Sequence, residues 1–449
     1  MPIAEARSGA AVVGARRSLM PALGTWGFIV TFSGQGLRNV VGWWAFGVIA
    51  AISGVMLFLV FVREGHRVQW RALPAMACAY TILCMVSVIW SHYPRETVLA
   101  GLLMLATTTT GVLLACGLSL RQFTDALSRA LEATLVLSFL LELYVALVLQ
   151  HPLIPAYMRD WTEVPPSYIW VEGNIFRGGP IQGIVGNRNP LAFIALLTLI
   201  CVAVRWRDNR LRLPNFIVWS ALSVLTLFLT GSATVIVAAV VSLVVMLFLW
   251  LLRHVPIALR TTVIVVASTL GVGLVAVAIG WHSQLTALLG RSSDMTGRWE
   301  IWMKVLALWE QHTFLGWGWI MYWVPWIPMF GTLVIRPDGT PTLSAHNAYI
   351  EALFQTGVVG AALIVVLVLT LTFRSFRLAV HYLDSDASVL LPALLMTAMV
   401  VQSMTESRLL SEGNWVTVCA LGTWLGLHEI IEREHNDPWA LEESVSRAR

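Results

Sequence analysis

Ser344-Ala-His-Asn-Ala-Tyr-Ile-Glu-Ala-Leu-Phe-Gln-Thr-Gly-Val-Val-Gly360 opens an apolar run that continues to Phe373 and follows directly on a long polar segment. As a helix, the run from His346 to Phe373 would rise roughly 42 Å at about 1.5 Å per residue, more than the roughly 30 Å of bilayer hydrocarbon. Such a stretch reads as a membrane span, which puts the titratable side chain of His346 at headgroup level, at the mouth of the helix. Ser344 is the expected N-cap. The N–H groups of the first turn would then point outward and favour an anion beside the imidazole, and the anion present at that depth is a lipid phosphate.

The rest of the chain has the same character. It is 57% hydrophobic and only 12% charged, with a mean hydropathy of +0.75, a composition whose solvent is mostly lipid. Apolar runs lie near residues 19–33, 40–62, 72–90, 97–117, 126–150, 189–204, 213–229, 232–252, 261–281, 346–373, 389–405 and 414–431. Backbone hydrogen bonding in lipid leaves bundled helices as the architecture for runs this apolar, and their length excludes a barrel. The expected fold is an all-α polytopic membrane protein of about twelve transmembrane helices with one large outer loop.

Arginines set the expected topology, because short loops rich in Arg and Lys stay in the cytoplasm. Arg7, Arg16 and Arg17 keep the N-terminus inside, and every alternate short loop is then basic: Arg63, Arg67 and Arg71; Arg121 and Arg129; Arg205, Arg207, Arg210 and Arg212; Arg253 and Arg260; Arg374 and Arg377. The chain divides accordingly. Residues 1–18 and 432–449 are cytoplasmic tails, 19–281 carry nine spans with an outer loop at 151–188, 282–345 form an outer Trp-rich loop, and 346–431 carry three further spans. The first run reads as a span rather than a cleaved signal peptide.

Several function classes drop out. Cys78, Cys84, Cys116, Cys201 and Cys419 all fall inside expected spans and read as small core residues. No Cys/His cluster has metal-ligand spacing, no Gly-rich loop resembles a nucleotide cradle, and no repeat of fixed period is visible. The net charge of +4 is the positive-inside bias, so no nucleic acid is expected as partner. Asp384-Ser-Asp386 imitates the metal-holding pair of nucleotide-sugar transferases but sits in a short cytoplasmic turn and reads as a turn.

What remains is chemistry on the outer face. The second polar segment is dense in aromatics, with Trp299, Trp302, Trp309, Trp317, Trp319, Tyr322, Trp323 and Trp326. An interfacial belt explains them more simply than a platform for sugar rings. Arg298, in Thr296-Gly-Arg-Trp-Glu-Ile-Trp302, starts an amphipathic stretch expected on the membrane surface, where a guanidinium suits bidentate contact with phosphate but can equally snorkel. In the first polar segment, Phe176-Arg-Gly-Gly-Pro-Ile-Gln-Gly-Ile-Val-Gly-Asn-Arg-Asn-Pro190 carries Arg177, Arg188, Asn187 and Asn189 among four glycines. This has the look of backbone shaped around a polar ligand, with Pro190 suited to a first helical turn.

Taken together, His-Asn-x-Tyr-x-Glu at 346–351, the Gly-x-x-Gly ending at Gly360, Thr-Gly-Arg-x-x-x-Trp at 296–302 and Phe-Leu-Gly-Trp-Gly-Trp at 314–319 resemble the O-antigen ligase and polymerase superfamily of bacterial envelope glycosyltransferases. The resemblance implies a GT-C-like fold with a large periplasmic loop, and a C-type glycosyltransferase of the bacterial inner membrane. Its donor is an undecaprenyl-diphosphate-linked oligosaccharide, its acceptor a lipid-linked repeat or the lipopolysaccharide core, and it needs neither metal nor nucleotide cofactor. It also implies that His346 is the essential histidine and Arg298 the essential arginine of the large loop, and that Arg177 and Asn189 are the arginine and asparagine before the sixth span. One departure stands out: where the family has a cation opening the eighth span, Thr230-Gly-Ser-Ala-Thr234 places Ala233. Arg188 is the candidate to replace it.

The implied reaction is a single displacement that inverts the anomeric centre. Arg298, Arg188 and Arg177 would stabilise the departing diphosphate. His346 would take the proton of the attacking sugar hydroxyl, histidine being the residue type that titrates near neutrality. Asn189, Asn347, Tyr349 and Glu351 are expected to bind substrate. Glu351 and Gln355 share a helical face with Asn347, where they either orient the acceptor or satisfy one another inside the bundle. Glu406, Arg408 and Glu412 read as a structural set. Ser-Ala-His-Asn-Ala-Tyr-Ile-Glu looks closer to exopolysaccharide polymerases than to ligases, and the non-enzymatic rival is a flippase of lipid-linked sugars.

Overall fold

The computed structural model describes residues 18–280 and 297–436. Arg7, Arg16, Arg17, Thr296 and the last residues of the chain lie outside the described residues. Every one of the twelve apolar runs is helical over most of its described length. In chain order the helices are α1 (Met20–Phe32), α2 (Gly34–Arg63), α3 (Ala75–Val86), α4 (Pro94–Gly117), α5 (Leu120–Tyr144), α6 (Arg188–Arg207), α7 (Leu213–Thr230), α8 (Ala233–Leu252) and α9 (Ile257–Gly280). After the second polar segment come α12 (Ala348–His381), α13 (Leu391–Ser403) and α14 (Glu412–Asn436). Within that segment lie two short helices, α10 (Arg298–Trp309) and α11 (Pro328–Leu333). Among the described residues 7 helices are long and apolar enough to cross a membrane, with four shorter apolar ones beside them. Among the described residues extended pairing is limited to two isolated bridges, Leu153 with Val171 and Ile335 with Pro341.

Local sequence sets the helix boundaries. Ser119 and Gln122 cap α5 reciprocally, satisfying two N–H groups that the first turn leaves free. Pro94 and Pro214 stand in the first turns of α4 and α7, where the missing N–H has no consequence. α6, apolar on all sides from Leu191 to Val204, is buried almost throughout, as expected for a helix without a polar face. It packs between α5 and α7 and touches α8 and α13. α4 and α14 meet backbone to backbone at Gly111, where a Cβ would lie 2.6 Å from the Val416 carbonyl oxygen, the close approach that small residues permit between membrane helices. By contrast, α2 and α8 expose Val48, Ile52, Phe58, Val240, Val244 and Leu251, as lipid-facing helices do.

Polar groups collect at the two ends of the bundle. α6 separates them, its 20 residues rising about 30 Å from Arg188 to Arg207. At one end Arg205 pairs with Glu132 at 2.7 Å and Asp125 at 2.9 Å, and Arg210 pairs with Asp125 at 2.9 Å. Asp208 holds the turn before α13 through Ala387 N and Ser388. The Asp384-Ser-Asp386 turn is ion-paired there rather than merely solvated: Asp384 takes Arg260 at 3.1 Å and Arg253 at 3.6 Å, and Asp386 takes Arg121. Three of the five basic loops, those carrying Arg121, Arg205 with Arg210, and Arg253 with Arg260, therefore share one end.

The two long polar segments meet at the other end. Asp338 accepts from the backbone N–H and the hydroxyl of Ser167. These hydrogen bonds and those from Thr340 hold its carboxyl well below the usual range. The second segment has its own small core of Ile301, Val305, Ile320, Trp323, Phe330 and Val334, joined by Tyr93 and by Phe354 of α12. Trp319 and Trp323 are fully buried in this end, whereas Trp299 and Trp326 are exposed. The aromatics thus divide, and the two most buried serve neither belt nor sugar platform. They hold the segment together.

Phe314-Leu-Gly-Trp-Gly-Trp319 threads into a break in α12. Gly357 has φ +65° and ψ −168°, which takes the N–H groups of Val358 and Val359 away from the helix and gives them to the carbonyls of Thr313 and Phe314. The carbonyls of Phe354 and Gln355, left without helical donors, accept from Trp317 N at 3.2 Å and Gly318 N at 2.9 Å. The exchange closes without an orphaned group, and it ties the polar segment to the helix that follows His346.

Candidate functional site

Four chain segments converge on one carboxylate, Glu406, in the turn between α13 and α14. His346 Nδ1 lies 3.2 Å from Oε2, Arg298 Nη2 donates to Oε1 at 3.1 Å, and Asn189 Nδ2 donates to Oε1 at 2.8 Å. Asn189 Oδ1 in turn accepts from Ser232 Oγ at 2.9 Å, which brings the start of α8 to the same point. Glu406 is buried, while the side chains of His346 and Arg298 are 25% and 16% exposed, so the histidine and the arginine form the accessible rim. Burial raises the Glu406 carboxyl, but the hydrogen bond and charge of His346 together with Arg298 and Arg408 outweigh it and hold the group below its ordinary value.

His346 owes its direction to its backbone. With φ +51° it occupies the left-handed region, sparsely populated by residues with a Cβ and retained where the surroundings over-determine it. Those surroundings are visible on both sides. Asn347, not Ser344, caps α12: its Oδ1 accepts from Tyr349 N at 2.9 Å and Ile350 N at 3.0 Å. These are first-turn donors that the sequence reading left for an anion, so the cap already satisfies them. Asn347 also fixes the Glu406 turn, donating from its backbone N to Ser407 Oγ and from Nδ2 to the Met404 carbonyl. Tyr349 Oη accepts from Ser403 at the end of α13.

Glu351 lies in the interior. Expected to touch substrate, it is 1% exposed and its oxygens are taken up inside the protein. Oε1 accepts from Trp323 Nε1 and Gln355 Nε2, each at 2.6 Å, and Oε2 from Ala345 N at 2.7 Å and Ser407 Oγ at 2.9 Å. Gln355 Oε1 accepts from Ile320 N and Met321 N. The pair thus satisfies itself and its neighbours, clamping residues 345 and 407 on either side of His346.

The remaining arginines stand at the same end but outside the cluster. Arg188 is the first residue of α6 and exposed; Arg177 ends the short turn Ile175–Arg177 and is exposed. Neither side chain makes an ion pair among the described residues. Arg188 adjoins Asn189, whose partner Ser232 directly precedes Ala233, so the position lacking a cation and the candidate replacement lie on bonded neighbours. Arg408 and Glu412 pair at 3.4 Å as expected, but Glu406 does not join them. Among the described residues no group of three or more His, Cys, Asp or Glu could hold a metal ion.

Residues 218–365 match the protein-family model described as O-antigen ligase, which bears out the resemblance to the O-antigen ligase and polymerase superfamily. The matched segment contains Ser232, Arg298 and His346, while Asn189 and Glu406 reach the site from outside it. No curated protein matches the chain.

Proposed function

We propose that this multi-pass membrane protein is a glycosyltransferase that polymerises undecaprenyl-diphosphate-linked oligosaccharide repeats on the outer face of the bacterial inner membrane, as an exopolysaccharide or O-antigen polymerase. One observation carries the reading: Glu406 holds the imidazole of His346 and the guanidinium of Arg298 on its two oxygens. With Nδ1–H donating to the carboxylate, the lone pair of Nε2 is left for the acceptor, the division of labour by which a carboxylate fixes a histidine base.

The acceptor hydroxyl gives its proton to His346 Nε2 as its oxygen attacks the anomeric carbon of the donor. The bond from that carbon to the diphosphate oxygen breaks with its electron pair, and the configuration inverts. Arg298, with Arg188 and Arg177 contributing from outside the cluster, stabilises the growing charge on the leaving diphosphate. Glu406 opposes the positive charge that His346 gains. The buried positions of Asn347 and Glu351 support a role in holding His346, and Asn189 acts through Glu406. The alternative acceptor within the same chemistry is the lipid A-core, which would make the protein a ligase.

His346→Ala is the direct test. Purified protein given lipid-linked repeats alone should lengthen them, and the variant should fold in the membrane yet lose polymer by roughly 10²–10⁴-fold. Normal polymer yield from the variant would remove the assignment. Product formed only when lipopolysaccharide core is added would identify a ligase.

A further inference from the structure

Glu412, a second carboxylate at the same end of the bundle, has no part in the proposed transfer. It opens α14 with φ +51°, the same left-handed backbone as His346, and such strain persists where its surroundings enforce it. Arg38 Nη2 lies 2.8 Å from one oxygen and Arg408 Nη1 3.4 Å from the other. Arg38 is itself buried and held over the rings of Trp43 and Phe46. Beside Glu412 is a cavity of about 20 Å³, bordered by Gln402, Arg408, Glu412 and Asn414 on its polar side and by Phe32 and Phe193 on its apolar side.

Gln402 is only 2% exposed. Its Oε1 accepts from Asn414 Nδ2 at 3.1 Å, but its Nε2 has no partner among the described residues. An amide donor buried in this way is rare unless something meets it. The cavity is also bordered by Pro190, the neighbour of Asn189, and Arg408 is two residues from Glu406. The cavity therefore adjoins the His346 cluster, and Arg408, whose charge also lowers the Glu406 carboxyl, borders it.

We propose that this cavity is a subsite for one hydroxyl group of the glycan substrate, an inference that rests on the glycan-transfer reading of His346. Its volume accommodates a group the size of a water molecule. A hydroxyl has one donor and two acceptor positions: it donates to the Glu412 carboxylate and accepts from Gln402 Nε2 and from Arg408. A phosphate is too large and meets the negative charge of Glu412, and an apolar group leaves the Gln402 amide unpaired. A pocket of this kind discriminates steeply, because a sugar lacking the hydroxyl leaves buried polar groups bare. The subsite thus selects the sugar.

The test uses the full-length protein in detergent micelles and two probes. One is free oligosaccharide released by mild acid from the host's lipid-linked pool, which carries glycan but neither diphosphate nor lipid; the other is the intact lipid-linked form. Binding is read by ligand-observed NMR. Gln402→Leu, which removes the donor, should bind about 10-fold more weakly than wild type. Should Gln402→Leu not fold, Glu412→Gln keeps the shape, removes the charge and reads the same loss. Weakening with the free glycan shows that the subsite recognises the sugar without diphosphate or lipid, and weakening with the lipid-linked form alone shows that the anchor must first place the sugar. A purely structural role would lower thermal stability without moving either dissociation constant. Unchanged affinity of the folded variants for both probes, or no binding of either probe to wild type, overturns the subsite. The polymer assay of His346→Ala is read separately, so failure of the subsite is distinct from failure of the transfer reading.

Discussion

Glu406 stands 60 residues from His346, 108 from Arg298 and 217 from Asn189 in the chain, and that separation is why sequence reading grouped it with Arg408 and Glu412 instead. Pairing by i, i+4 spacing is legible in a sequence, as Arg408 with Glu412 shows, whereas a partner brought in by another helix is not. The available signal was an acidic residue in the short connection between two apolar runs, at the end shared with His346. Glu406→Gln keeps the size and an acceptor oxygen but removes the charge that fixes the imidazole. Activity should fall roughly 10²–10⁴-fold while the protein still purifies as a folded membrane protein; activity within a few-fold of wild type would exclude the orienting role. The same variant changes the response to pH. His346, Arg298 and Arg408 hold the Glu406 carboxyl below its ordinary 4.5 against the effect of burial. The stability this contributes is complete above that ordinary value and is lost as pH falls through the depressed one. The thermal midpoint of wild type should therefore drop on acidification through this range more than that of Glu406→Gln, measured in matched buffers.

Phe314-Leu-Gly-Trp-Gly-Trp319 and the Gly-x-x-Gly of α12 are motifs more than thirty residues apart, and their common meaning emerges only when both are folded. Gly316 and Gly357 have φ of +67° and +65°, and each backbone lies where the other's Cβ would be. A Cβ on Gly316 would meet the Gln355 carbonyl carbon at 2.5 Å, and one on Gly357 would meet the Phe314 carbonyl oxygen at 2.1 Å. The apolar pattern correctly shows a helix here and hides its break, because hydropathy does not register a single residue outside helical φ and ψ. The N-cap is a similar case: Ser344 and Asn347 are both good caps, and only the contacts of Asn347 with the 404–407 turn decide between them. Gly357→Ala adds a Cβ to a left-handed residue and drives it into fixed backbone, so it should destabilise the protein by about 3 kcal/mol or more. Its effect on transfer should follow, since residues 345 and 351 hang on the same helix. Thermal unfolding in detergent checks the first point, and a midpoint equal to wild type would mean that the threaded segment does not hold the break.

The twelve apolar runs were readable because hydropathy is a local property and lipid rewards it everywhere alike. The sidedness of the bundle rests on a different signal, the clustering of arginines. In the fold Arg121, Arg205, Arg210, Arg253 and Arg260 gather with Asp125, Asp208, Asp384 and Asp386 at one end, and His346 stands with Arg298 and Glu406 at the other. If the basic end is cytoplasmic, the site faces the compartment in which lipid-linked repeats are joined. Two exposed positions report the sides without touching the site: Glu163, in the first polar segment, and Arg377, whose side chain is 58% exposed near the end of α12. In a background with Cys78, Cys84, Cys116, Cys201 and Cys419 replaced by alanine, Glu163→Cys should react with a membrane-impermeant maleimide added outside the inner membrane, and Arg377→Cys should react only after the membrane is opened. The reverse pattern would turn the bundle over and place His346 on the cytoplasmic side, where polymerisation of exported repeats has no substrate. Six long helices buried against α6, or left to lipid, are equally stable in either orientation, so charge at the ends and not packing in the middle decides where the chemistry takes place.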